Sequence, residues 1–293
     1  MAISAAQVKE LRERTGSGMM ECKKALVEAD GDLEKAVELM RKKGLAKADK
    51  KADRVAAEGR IVALVNEAGN EGVLLEVNCE TDFVSGGGDF SGFAEKVADV
   101  ILRGKPADVA ELLALPYEDG LDVQTAQKEL VARIGENIQV RRFSRFESDG
   151  GSLHYYLHGT RIGVMVDLKG GDAGLGRDIA MHVAASNPMC VDEAGMPAET
   201  LQKEREILRA QAQESGKPPE IVEKMIEGRI GKFLKETTLL GQPFVKDPDQ
   251  SVGQLLKAKG AGVAGFARLE VGEGIEKAEE NFAEEVMAQV RGS

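Results

Sequence analysis

Over the first 44 residues, apolar positions recur at intervals of three and four, and glycines interrupt them. Ala5, Val8 and Leu11 mark one face of a helix that Ser4 can cap and that Thr15-Gly16-Ser17-Gly18 ends. Met19, Cys22, Leu26 and Ala29 mark a second, broken at Gly31; Leu33, Ala36, Val37 and Met40 mark a third, capped by Asp32 and ending near Gly44. From residue 59 the period changes to two. Gly59 to Asn66 and Gly72 to Asn78 read as a hairpin, followed by a Gly-rich turn at Gly86-Gly87-Gly88. Helical spacing returns at Phe90, Phe93, Ala94, Val97 and Ile101, and again over Gln124 to Ile134. A strand follows, starting from Ile138.

The order then recurs. Ser152 to His158 and Arg161 to Leu168 form a second hairpin, turning at Gly159-Thr160. A helix holds Ile179, Ala180, Val183 and Ala184, another holds Val252, Leu255 and Leu256, and Ala264 to Val271 is a strand. The repetition predicts an internal duplication: two α+β subdomains, each an antiparallel three-stranded sheet backed by helices. The second copy carries an insertion, Ala198 to Glu214 and Pro219 to Lys235. It reads as an antiparallel helical hairpin, with Leu201, Leu208 and Ala212 facing Ile221, Met225, Ile230 and Phe233. Ile275 to Val290 adds a last amphipathic helix. The expected fold class is thus α+β, in five parts: a three-helix domain with a basic linker (1–54), core subdomain N (55–150), core subdomain C (151–190 and 238–272), the inserted hairpin (191–237) and a C-terminal helical module (273–293).

Charge narrows the function classes. With 39 Lys and Arg against 50 Asp and Glu, the net charge is −11, which disfavours a protein that binds nucleic acid mainly by counterion release. Aromatic residues are 4% and tryptophan is absent, so base-stacking platforms are disfavoured too. The exception is a basic run from Arg41 to Arg54, readable as a solvated helical linker or as a contact for RNA or an acidic partner. Three widely spaced cysteines fit a reducing cytoplasm, and neither a signal peptide nor a membrane span is expected.

Catalytic patterns are missing. His154 and His158 are four apart, but on a strand that spacing separates them by roughly 13–14 Å, too far to share a metal. Gly260-Ala261-Gly262-Val263-Ala264-Gly265 matches GxGxxG literally. A helix precedes it and a strand follows, the reverse of the dinucleotide fingerprint. No enzyme, cofactor or metal is expected.

Two strings carry a resemblance: Leu11-Arg12-Glu13-Arg14-Thr15-Gly16 with Gly18-Met19-Met20-Glu21-Cys22-Lys23-Lys24-Ala25-Leu26, and Glu76-Val77-Asn78-Cys79-Glu80-Thr81-Asp82-Phe83-Val84. It continues through His158-Gly159-Thr160-Arg161-Ile162-Gly163, Met181-His182-Val183-Ala184-Ala185, Gly241-Gln242-Pro243-Phe244-Val245 and Val271-Gly272-Glu273-Gly274-Ile275. Together they resemble the bacterial elongation factor Ts family over the whole chain. The resemblance implies a ubiquitin-associated-like N-terminal domain, the duplicated core, a protruding arm and a C-terminal module. It also implies a guanine-nucleotide exchange factor that binds GDP-loaded and nucleotide-free elongation factor Tu in the cytoplasm, one to one or as a dimer of heterodimers, with no membrane and no sequence-specific nucleic acid. In that family Thr81, Asp82, Phe83 and Val84 dislodge the partner's Mg2+. Arg12, Met19 and Met20 grip its nucleotide-binding domain, and His158 touches another of its domains.

Overall fold

In the computed structural model, residues 3–213 and 219–276 are described. The chain opens with α1 (Ala5–Thr15), α2 (Met19–Glu28) and α3 (Leu33–Asp49). Ser4 and Gln7 form a reciprocal capping box at the first, and Asp32 caps the third. Val8, Leu11, Cys22, Leu26 and Ala36 make a small core, whereas Ala5 and Met19 lie outside it, exposed. The third helix does not stop at Gly44. A β-carbon there would lie 3.0 Å from that of Ala132, so this glycine permits close approach to a neighbouring helix instead of ending its own.

The first half of the core contains β1 (Glu58–Val65), β2 (Glu71–Cys79), α4 (Asp82–Ser85), α5 (Gly88–Gly104), α6 (Val109–Leu113), α7 (Val123–Ile134) and β3 (Ile138–Glu147). The second contains β4 (Ser152–His158), β5 (Ile162–Lys169), α8 (Ala173–Ser186), then, after the arm helices α9 (Ala198–Gln213) and α10 (Pro219–Thr237), a short ladder of β6 (Pro243–Phe244) and β7 (Asp247–Ser251), α11 (Val252–Ala258) and β8 (Gly262–Glu270). The sheets are antiparallel, in the orders β1-β2-β3 and β4-β5-β8. Sequence periodicity missed α4, α6 and the β6–β7 ladder, all too short to establish a period. The Gly86–Gly88 turn is tighter than expected, since Gly87 is already the N-cap of α5.

Each central strand is buried on both faces. Val73, Leu75, Val77 and Cys79 of β2 pack on Phe90, Phe93, Val97 and Ile101 of α5; Val164, Val166 and Leu168 of β5 pack on Ile179 and Val183 of α8. The opposite faces meet between the halves, where Ile61 and Leu74 pack with Leu269 and Val271. Gly72 and Gly163 make that contact close: β-carbons there would lie 2.6 Å from Met165 Sδ and 2.4 Å from Ile61 Cγ2.

A buried charge ties the halves together. The Glu76 carboxylate, with no exposed surface, accepts from Arg141 Nη1 (2.9 Å), Arg142 Nε (2.6 Å) and the Gly272 N–H (2.8 Å). Burial alone would raise its pKa, but the Gly272 N–H and the two guanidiniums outweigh burial and hold it below the ordinary carboxylate value.

The arm is an antiparallel helix pair whose seam contains Leu201, Leu208, Ile230 and Phe233 as expected, but at the start of α10 it is shifted by one position. Leu208, Val222, Ile226, Ile230 and Leu234 are buried, with Leu201 and Phe233 packed against them, while Ile221 is exposed. The side chain of Ala212 lies outside the described residues, as does the C-terminal module beyond 276.

Candidate functional site

The turn after β2 is built by local chemistry and then anchored from afar. Thr81 leaves the strand in extended backbone and caps α4, its Oγ1 accepting from the Val84 N–H at 3.4 Å. Ser85 Oγ donates to the Asp82 carbonyl at 2.9 Å, and the Cys79 thiol donates to the Thr81 carbonyl at 3.1 Å. Burial foremost, then the Glu136 and Glu58 carboxylates, push the Cys79 thiol up to about 12, so it stays protonated and serves as a donor. From the loop between α7 and β3, Glu136 reaches the same turn. Its carboxylate accepts from the Thr81 N–H at 3.0 Å and from Thr81 Oγ1 at 2.7 Å. Val84 packs on the first core. Asp82 is exposed, and Phe83 is 88% exposed.

An aromatic side chain standing in solvent on a pinned one-turn helix forfeits the burial that usually holds phenylalanine inside. Asn137, the residue after Glu136, continues the anchoring. It is buried, its N–H donates to Glu80 Oε1 at 2.6 Å, and its Nδ2 donates to the carbonyls of Ala52 (3.1 Å) and Arg54 (2.7 Å).

The second group of expected residues surrounds the turn between α1 and α2. Gly16 closes α1 in the left-handed conformation, its N–H donating to the Arg12 carbonyl. Arg12 is exposed, and Met19 and Met20 are 55% and 66% exposed. Helix geometry forbids both methionines from facing one small core, and here neither does. Val27, also exposed, lies about two turns further along α2. His158 ends β4, exposed, with Nδ1 3.3 Å from the Tyr156 hydroxyl. The three groups stand on separate parts of the fold, α4, the α1–α2 pair and β4, and no hydrogen bond found among the described residues joins one group to another.

The remaining chemistry is structural. His182 is buried; its Nε2 pairs with Gln242 Oε1 at 2.9 Å and its Nδ1 accepts from the Val245 N–H at 3.2 Å. Burial lowers its pKa, against the opposing pull of Gln242. No cluster of three His, Cys, Asp or Glu among the described residues could hold a metal. No helix among them is long and apolar enough to cross a membrane. Most of the basic run is engaged within the chain. Arg41 pairs with Glu129 on α7, Lys43 and Lys47 pair with Glu28 and Glu21 on α2, and Lys51 donates to the Gly135 carbonyl. Residues 41–49 of the run are thus the second half of α3, paired on both sides while their charged side chains stay exposed.

The model of the Elongation factor TS family matches residues 80–273, a span that begins at the Thr81 turn and ends beside the Glu76 latch. The chain belongs to the elongation factor Ts family. Elongation factor Ts of Methylococcus capsulatus is 66% identical over 293 residues, covering all of both chains. Those of Alkalilimnicola ehrlichii and Halorhodospira halophila are 67% and 66% identical, again end to end. Membership in the elongation factor Ts family makes this a translation elongation factor of protein biosynthesis. Glu136 and Glu76, which organise the turn and the junction between the halves, were not found from the sequence. Their partners lie 55 to 196 residues away, and no motif spacing encodes them.

Proposed function

We propose that this protein is the guanine-nucleotide exchange factor of elongation factor Tu, acting by binding and without bond chemistry. The observation that carries this reading is Phe83, a rigid apolar side chain held out in solvent beside the exposed carboxylate of Asp82. Phe83 enters between packed elements of the partner's nucleotide-binding domain, and Thr81 and Val84 fix the turn that drives it. Asp82 brings negative charge toward a site that holds Mg2+ and phosphates, which weakens the hold on the metal and on GDP. Arg12, Met19 and Met20 form a second contact, in which unbranched, polarizable methionines adapt to the partner surface. His158, on the second half, supplies a third.

Linkage makes the effect reciprocal. If the factor loosens GDP, bound GDP loosens the factor by the same ratio, so exchange is accelerated without fixing which nucleotide rebinds. Release of a fluorescent GDP analogue from elongation factor Tu, with and without this protein, tests the proposal. We expect strong acceleration at catalytic amounts, and an unchanged release rate would reject it. An RNA-binding role for residues 41–54 is the weaker reading, since most of those cations already pair at the surface with carboxylates or a carbonyl of the chain itself.

A further inference from the structure

We infer that Glu136 is the positioning residue of the Phe83 turn, an assignment that rests on the exchange reading above. A four-residue helix has too few internal hydrogen bonds to hold itself, because nucleation fixes several dihedrals for a single bond. Its own cap is long, 3.4 Å from the Val84 N–H to Thr81 Oγ1. The two contacts from Glu136 are shorter, 3.0 and 2.7 Å, and involve a charged acceptor. They grip the backbone and the side chain of Thr81, the residue that caps α4, so both the position and the roll of the turn are fixed from outside it. The anchor sits on solid ground: Asn137 beside it is buried and bonded to Glu80, Ala52 and Arg54.

Phe83 has no neighbours of its own to brace it, being 88% exposed. Any force it exerts on a partner therefore passes into the turn, which Glu136 and the end of β2 hold by hydrogen bonds and Val84 and Ser85 hold by packing. The second half of the molecule gives the contrast. There the loop between α11 and β8 is Lys259-Gly260-Ala261, with no carboxylate to accept from a turn as Glu136 does, and no aromatic residue follows the corresponding strand directly.

The test is GDP release from elongation factor Tu at increasing concentrations of the intact protein, comparing Glu136→Ala, Glu136→Gln and Phe83→Ala, singly and combined. Glu136→Ala removes both contacts and should lower the saturating rate at least about tenfold, the size of a single lost hydrogen bond to a charged group, with the half-saturating concentration changed less than about twofold. Glu136→Gln, which can still accept from the Thr81 N–H and donate to its hydroxyl, should recover most of the rate. In the Phe83→Ala background, Glu136→Ala should cost almost nothing more. Amide exchange at Thr81 and Val84 should speed up in Glu136→Ala while β2 stays protected. A full saturating rate in Glu136→Ala, or an equal loss with and without Phe83, overturns the assignment and leaves the exchange reading intact. A full rate in Phe83→Ala alone removes the wedge, and the role of Glu136 goes with it.

Discussion

After β2 the chain caps at Thr81, makes one helical turn and leaves Phe83 in solvent; after β5 it caps at Asp172 and runs straight into α8 with Leu175 buried. Both turns follow the central strand of a three-stranded antiparallel sheet, and both lie near the loop that leads into the third strand. In the first half a side chain from that loop, Glu136, bridges to the turn. In the second half the backbones themselves approach, so closely that a β-carbon on Gly170 would lie 2.8 Å from the Gly260 carbonyl oxygen. One topology thus yields a turn that presents and a turn that seals. Strand order fixes where the turn falls, while the residues at the facing loop fix what it does.

The largest expected effect comes from separating the two halves. Glu76→Ala leaves Arg141 and Arg142 facing a buried gap and frees the Gly272 N–H, and it should cost about 3–5 kcal/mol, the usual range for breaking a buried pair. Chemical denaturation measures it, and a loss below about 1 kcal/mol would mean that the halves hold together without the latch. The same carboxylate has a folded pKa below 4.5, so its contribution is complete above that pH and is lost as pH falls through the folded value.

Next comes the presenting turn. Phe83→Ala should slow stimulated GDP release about 30-fold, the rate equivalent of a hot-spot side chain worth ~2 kcal/mol. Thermal unfolding should not change, because so exposed a ring supports little of the fold. Binding to nucleotide-free elongation factor Tu should fall less than the release rate does.

The sealing turn should respond in the opposite sense, in stability and not in exchange. At Gly170 φ is +70°, and Gly170→Ala adds a β-carbon both to a left-handed backbone and against a carbonyl. A loss of about 1–3 kcal/mol is expected in denaturation. Gly92→Ala in α5 is its control: nothing lies within 4 Å of an added β-carbon there, and a gain of about 0.5–1 kcal/mol is expected. If both substitutions act alike, the close backbone approach at Gly170 contributes nothing to stability.

The smallest effect is a difference in acid response. All three histidines, His154, His158 and His182, lie in the second half. Burial lowers the pKa of His154 and His182 from 6.5, so the unfolded chain takes up protons before the folded one does. Their contribution is complete above about pH 6.5 and is lost as pH falls toward their folded values. Amide exchange between pH 7 and pH 5 should therefore show protection weakening first in β5 and α8, with β2 and α5 unaffected over that range. Equal weakening in both sheets would remove the distinction.

Much of this was readable from the chain. A period of 3.6 located α1, α2, α5, α7, α8 and both arm helices, and a period of two located both hairpins, because a face buried along one element leaves its spacing in the sequence. The exposed aromatic and the paired methionines were found through the strings that carry the family likeness, since periodicity alone would place a phenylalanine or a methionine in a core.

Tertiary structure decided the rest. Gly44 reads as a helix stop, yet α3 continues through it because Ala132 lies against that face. At the start of α10 the arm seam takes Val222 and Ile226 in place of Ile221 and Met225, while Ile230 and Phe233 stay, a local shift that several apolar neighbours leave open until the partner helix is in place. Glu136 looks like one carboxylate among the 50 acidic residues until folding brings it within hydrogen-bond distance of Thr81. Periodicity reports what each segment buries. It carries no record of which distant side chain will grip a turn, because that contact depends on the closure of the sheet between them.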